Sequence, residues 1–215
     1  MTSSSRFSTR RFIAAIAVAL SAVTASACSG GGIDAGAAAI VGDRRIPVAD
    51  VQTATAELNM LPGLTQQLPQ RDVLGYLITE PFFLRAASSK GVGTSEDDAV
   101  TFLAQSQWVN TRTGSSKPAA PTIAFVRTFL ARRNLLPQQD GSGPTVDEAV
   151  KTLQDISAQL RKTDISVNPR YGSIETSFDP NGQGIFPVTA ASPDWLVKAP
   201  APAQPEQPAE PTPAP

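Results

Sequence analysis

The sequence predicts a mostly α-helical domain with a small antiparallel sheet. Three observations predict it. Five segments carry apolar residues at three- and four-residue steps, short apolar or alternating runs stand before the first and after the fifth, and Pro-, Gly- and Ser-containing stretches separate them. Ala37 to Val41 followed by Gly42-Asp43 predicts a strand and a turn, with Arg44-Arg45-Ile46 returning. Pro47 opens the first helix, because its missing N–H costs nothing in a first turn. Val48, Val51, Thr55, Leu58 and Leu61 give that helix its face, and Pro62-Gly63 ends it.

The second helix is expected over Arg71 to Lys90, with Val73, Leu74, Leu77, Ile78, Phe82 and Leu84 on a wide apolar face and Gly91 as its stop. Pro81 lies inside the pattern and predicts a kink, or a split after Glu80, since it removes one backbone donor. Thr94-Ser95-Glu96-Asp97-Asp98 predicts a third helix start, with a hydroxyl cap and carboxylates in the positive first turn. That helix runs through Ala99, Phe102, Leu103 and Ser106 toward Trp108. The polar stretch 110–117 precedes a fourth helix over Pro118 to Leu136, with Ile123, Val126 and Leu130 beside Phe125 and Phe129.

Thr145 and Glu148 have capping-box spacing and open a fifth helix with Val146, Ala149, Val150, Leu153, Ile156 and Leu160. Asp164 to Asn168 alternates as a strand does, Asn168-Pro169-Arg170-Tyr171-Gly172 turns, and Ile174 to Phe178 is expected to pair back as a hairpin. From Lys198 onward only Ala, Pro, Gln, Glu and Thr follow, a composition that predicts a disordered, Pro/Ala-rich tail over 198–215.

Composition closes most enzyme classes. The chain has 215 residues, the size of one domain with flanking tails. It has no histidine, the commonest general base and metal ligand, and a single cysteine, too few for a thiolate zinc cluster or an internal disulfide. No cofactor and no metal are expected. Setting aside Arg6, Arg10 and Arg11 of the leader, 15 basic residues face 19 acidic ones, a balance of -4 that does not suit nucleic acid as a partner.

Residues 1–27 read as a signal peptide: a Ser- and Arg-bearing start, then the apolar run Phe12 to Val23, too short to remain as a membrane span. Arg10-Arg11 allows export by the twin-arginine route as well as by the general one. Ala25-Ser26-Ala27 before Cys28 resembles a bacterial lipobox, although Ala25 stands where leucine is usual and Ala-Ser-Ala also suits ordinary signal peptidase. Two features favour lipidation of Cys28: it is the only cysteine, and Ser29-Gly30-Gly31-Gly32 follows as a tether. The expected organisation is therefore a lipidated tether over 28–37 and a domain over 38–197. The localisation expected is the extracytoplasmic face of the cell membrane, held there by the lipid.

The order of elements resembles the N-terminal chaperone domain of the SurA and PrsA foldases. Ala38-Ala39-Ile40-Val41-Gly42-Asp43-Arg44-Arg45-Ile46 is similar to that family's opening strand and turn. Leu77-Ile78-Thr79-Glu80 with Leu84, Ala86, Ala87, Lys90, Gly91, Val92 and Thr94 is similar to its second-helix stretch, and 165–172 resembles its closing strand. Pro81 departs from the pattern, as does Gly42-Asp43, which has no asparagine before it. The resemblance implies that the first strand pairs with the last and that the long fifth helix packs on the first. It implies a helical cradle for unfolded secreted polypeptides, acting as a non-enzymatic holdase. The parvulin isomerase domain of many relatives has no room here. A second reading is a lipoprotein scaffold that binds one folded envelope partner.

Trp108, Phe125, Phe129 and Trp195 are the candidate client-binding residues in a chain with 6% aromatic residues, and core packing is the alternative for each. Asp97-Asp98 and Asp147-Glu148 are the only tight acidic pairs considered for chemistry. Their place at helix starts makes them caps, and no catalytic residue is assigned.

Overall fold

The computed structural model describes residues 35–110, 114, 117–179 and 185–190. All belong to the second of the two units into which the chain divides, Ile33–Pro215. The signal peptide (1–27), Cys28, Trp195 and the tail over 198–215 lie outside the described residues.

The protein is mostly helical with a small antiparallel sheet. Strand β1 (Ala37–Val41) and strand β2 (Arg44–Pro47) form a hairpin. Helices α1 (Val48–Leu58), α2 (Gln70–Ser89), α3 (Glu96–Gln105), α4 (Ala120–Asn134) and α5 (Val146–Lys162) follow, then β3 (Ile165–Val167), β4 (Ser173–Ile174) and β5 (Val188–Thr189). β1 is the centre of a three-stranded sheet, with β2 on one side and β3 on the other. Its register with β3 sets Ala39 opposite Val167, Ile40 opposite Ser166 and Val41 opposite Ile165. The strand is built of small residues because it is enclosed: Ala37, Ala38 and Ala39 are fully buried, and β1 touches both α1 and α2.

Helices α2 and α4 form the middle of the molecule, with α1, α3 and α5 against them. Leu74, Ile78 and Phe83 of α2, Val126 of α4, Leu103 of α3 and Ile156 of α5 are almost wholly removed from water. Each such side chain contributes about 1.5–3 kcal/mol. α5 lies against α2, and α1 against α4 and α2. This corrects the expectation that α5 packs on α1. The apolar stripe of α5 shows which side is buried but not which helix receives it.

Local signals set the helix ends. Ser95 caps α3 and Thr145 caps α5, each in a reciprocal capping box with Asp98 and Glu148 respectively. Pro47 is the extended residue before α1 and the last of β2, rather than a first-turn residue. α2 closes with a Schellman turn: the Val92 N–H donates to the Ala87 carbonyl at 2.9 Å and the Gly91 N–H to the Ser88 carbonyl at 3.1 Å, with Gly91 at φ 73°.

A further expectation is corrected. The segment after Tyr171 does not return on β3. β4 instead pairs with β5, Ser173 opposite Thr189 and Ile174 opposite Val188, in a separate two-stranded sheet. Gly172 permits this crossing, because a Cβ there would fall 1.8 Å from the Thr189 carbonyl oxygen and its φ is 105°.

Pro81 does not split α2, which runs unbroken through twenty residues. Proline has no N–H to donate to the carbonyl four residues back, that of Leu77. The Arg44 guanidinium, reaching from the β1–β2 hairpin, donates to the Leu77 carbonyl through Nη2 and to the Glu80 carboxylate through Nη1. A long-range donor thus replaces the missing local one.

This arrangement predicts a coupling. Arg44→Met is expected to lower the unfolding free energy by about 1–2 kcal/mol, most of it from the Leu77 carbonyl, since a half-exposed ion pair adds little. In a Pro81→Ala background, where residue 81 regains its amide, the same change should cost clearly less. A double-mutant cycle by urea denaturation measures the difference, and strictly additive effects would contradict it.

Candidate functional site

The candidate aromatic residues divide by burial. Trp108 retains 3% of its surface and Phe125 7%, so in this state both are core residues. Phe125 packs on Tyr76 with ring centroids 4.4 Å apart. Phe129 is half-buried and packs on Phe102 at 5.7 Å. Trp195 lies outside the described residues. Trp108, Phe125 and Phe129 therefore do not form an open aromatic groove. Core packing, the alternative to client binding, is what Trp108 and Phe125 show, and Phe129 packs against the same core.

Trp108 is held by the last turn of α1. Its Nε1 donates to the backbone carbonyl of Glu57 at 2.7 Å. The Glu57 carboxylate, in the last turn of α1, is buried and accepts from the Ala119 N–H at 2.9 Å, the Thr122 hydroxyl at 2.6 Å and Asn110 Nδ2 at 3.3 Å. The cap position before α4 is Ala119, which has no side chain able to accept from the helix start. Glu57 supplies that cap from another helix, where a carboxylate meets the unpaired donors of a helix start. Its position was legible: Glu57 falls on the buried face marked by Val51, Ala54, Leu58 and Leu61, where a lone carboxylate needs partners.

One carboxylate of each acidic pair completes a capping box, and the other stands in the first turn. Asp98 Oδ2 accepts from the Ser95 N–H at 2.7 Å and its hydroxyl at 2.8 Å. Hydrogen bonds from the Ser95 backbone, then its side chain, hold the Asp98 carboxyl below its ordinary pKa. Glu148 Oε2 accepts from the Thr145 N–H and hydroxyl, both at 2.9 Å, and is lowered in the same way. The buried hydroxyls of Thr55, Thr79 and Thr152 each donate to a carbonyl four residues back in their own helix. Such bonds satisfy a buried hydroxyl and leave it no base to activate it. Among the described residues, no group of three or more His, Cys, Asp or Glu residues is placed to hold a metal ion, and no helix is long and apolar enough to cross a membrane.

One concave surface with apolar walls and a charge lies between α2, α4 and the segment 185–188. Leu68, Tyr76, Ile185, Phe186 and Val188 line a cleft of about 380 Å³, with Arg132 and Asp72 as its charged residues. The Arg132 Cζ stands 4.3 Å from the Tyr76 ring centroid and 5.2 Å from that of Phe83. Its Nη2 donates to the Ile185 carbonyl at 3.0 Å. Burial lowers the pKa of this guanidinium, and Tyr76 acts in the opposite direction. Arg132 and Arg133 stand in the last turn of α4, and the contacts of Arg132 across the fold carry no mark in the local sequence.

Comparisons with protein-family models, with curated proteins and with solved structures find no match.

The Glu57 cap carries its own prediction. Glu57→Ala leaves the Ala119 amide and the Thr122 hydroxyl without their partner and should cost about 2–3 kcal/mol, with Glu57→Gln costing less. In a Trp195→Phe background, where Trp108 is the only indole, the near-UV dichroism of Trp108 should weaken in Glu57→Ala. A stability change within about 0.5 kcal/mol of zero would show that water replaces the carboxylate.

Proposed function

We propose that the chain is a lipid-anchored extracytoplasmic protein that holds unfolded secreted or envelope polypeptides without chemical change. The observation that carries this reading is the closure of the helical array by its two ends. β1, the first strand, and β3, the strand directly after α5, lie side by side, Ala39 opposite Val167, while β4 and β5 follow as a separate pair. This arrangement supports the resemblance to the SurA and PrsA chaperone domain, in which the opening and closing strands meet beneath the helices. The self-satisfied buried hydroxyls and the capping carboxylates support a protein that works by contact.

Binding on this reading is burial of a client's apolar segment, at roughly 25 cal/mol per Å² covered. The cleft beside Tyr76 and Arg132 offers a concave, partly apolar surface for it. The lipid on Cys28 would keep this surface at the membrane, where secreted chains emerge; about 0.8 kcal/mol per buried methylene makes a multiply acylated cysteine a firm anchor.

A second reading, a scaffold for one folded envelope partner, is favoured by a different observation. The exposed large apolar residues Leu64, Val92, Val100, Val109 and Val146 sit on five separate segments. Isolated apolar residues are ordinary on a protein surface and do not make a broad adhesive patch.

The purified protein is expected to suppress aggregation of several unrelated denatured proteins at about the low micromolar protein concentrations typical of weak contact-based binding. A single partner captured with no such protection would establish the scaffold and reject the holdase. Cells fed labelled palmitate should label the wild-type chain but not Cys28→Ser, and globomycin should cause the precursor to accumulate. A wild-type chain that takes up no label would remove the anchor from the account.

A further inference from the structure

The cleft beside α2 and α4 contains a charge that the polypeptide-holding reading does not explain. A guanidinium carries five N–H donors in a planar fork. In Arg132 one of its nitrogens is committed, Nη2 to the Ile185 carbonyl at 3.0 Å. The ion pairs formed among the described residues are Arg44–Glu80, Arg71–Asp72 and Arg127–Glu96, so none brings a carboxylate to Arg132. The rings of Tyr76 and Phe83 compensate the cation in part. Asp72 lines the same cleft, but it pairs with Arg71 at 3.6 Å and its side chain is half exposed.

The wall opposite is held in an unusual conformation. Phe186 has φ 51°, the left-handed region that a large aromatic side chain seldom adopts. It is kept there by packing on Phe83 and Phe178, with centroids 6.1 and 6.5 Å away. Backbone held this way recurs where a ligand is clamped. Here it forms the wall of a cleft that combines a cation with no carboxylate partner among the described residues with Leu68, Tyr76, Ile185 and Val188 as apolar lining.

We propose that this cleft binds the free C-terminal carboxylate of an extended polypeptide, with the carboxylate on the Arg132 guanidinium and an apolar last side chain against Tyr76, Ile185 and Val188. The inference rests on the polypeptide-holding reading and names the part of the client that is recognised. Charge selects the occupant: planar carboxylate matches the guanidinium fork, and the cleft has the volume for a terminal residue. In a half-buried setting such a pair gains more than it would on an open surface.

The test compares two probes on the lipidated mature chain in nanodiscs: the fluorescein-labelled hexapeptide Ser-Gly-Ala-Leu-Val-Leu as free acid and as C-terminal amide. By fluorescence anisotropy the acid should bind at least about tenfold tighter than the amide, the difference expected for one charge-assisted contact. Arg132→Gln should bring the acid down to the level of the amide, and Arg132→Lys should keep part of the preference. The wild-type comparison needs no variant and so stands even if Arg132→Gln fails to fold. Equal binding of acid and amide by the wild type, or a preference that survives in folded Arg132→Gln, would overturn the site. Displacement by octanoate as efficient as by unlabelled peptide acid would assign the cleft to alkyl carboxylates and also overturn it. Aggregation suppression without an acid preference rejects this site alone. An acid preference without suppression upholds the site and rejects the holdase.

Discussion

The pairing of β1 with β3 is the constraint on which the rest of the structure depends. Ile40 and Ser166 are separated by all five helices along the chain and stand opposite one another in the sheet. With β2 on the other side, β1 has no free edge, and its three consecutive alanines fit against α1 and α2. A one-residue slip would exchange the faces of β3 and expose what now packs inward. The entropy of closing so long a loop is met because the enclosed helices bury a common core.

Two polar devices of the same kind hold the helices within that closure. Arg44 donates to the Leu77 carbonyl that Pro81 cannot reach, and Glu57 accepts from the start of α4, where Ala119 offers no cap. In each case a charged side chain on one element completes the backbone bonding of another. Buried backbone groups are satisfied almost without exception in folded proteins, so an interior proline and an uncapped helix start both demand a remote partner. Both devices also fix geometry, since Arg44 ties the hairpin to α2 and Glu57 ties α1 to α4 and to Trp108.

Features set by neighbours in sequence were legible from sequence. The boxes of Ser95 with Asp98 and Thr145 with Glu148, the Gly91 stop and the apolar stripe of α5 follow from spacings of a few residues, and each is found where its spacing put it. Features set by partners distant in sequence were not. Nothing near Pro81 announces Arg44, nothing in two-residue β4 announces β5, and the stripe of α5 fits α2 as well as α1. The same division applies to the site. Composition singles out Trp108 and Phe125 but leaves client binding and core packing open for both, because an aromatic residue carries no mark of its depth. The buried position of Glu57 is legible, but its role and that of Arg132 are not, because each comes from residues more than fifty positions away.

The central claim is tested most directly by a covalent probe of the β1–β3 register. In a Cys28→Ser background, Ile40→Cys with Ser166→Cys should close a disulfide under mild oxidation, visible as faster migration in non-reducing gels, while the folded dichroism spectrum is kept. Opposed strand positions lie within disulfide reach. If that pair stays open while a pair between β1 and β4, such as Ile40→Cys with Ile174→Cys, closes readily, the two ends of the helical array do not meet as described, and the account built on their closure is contradicted.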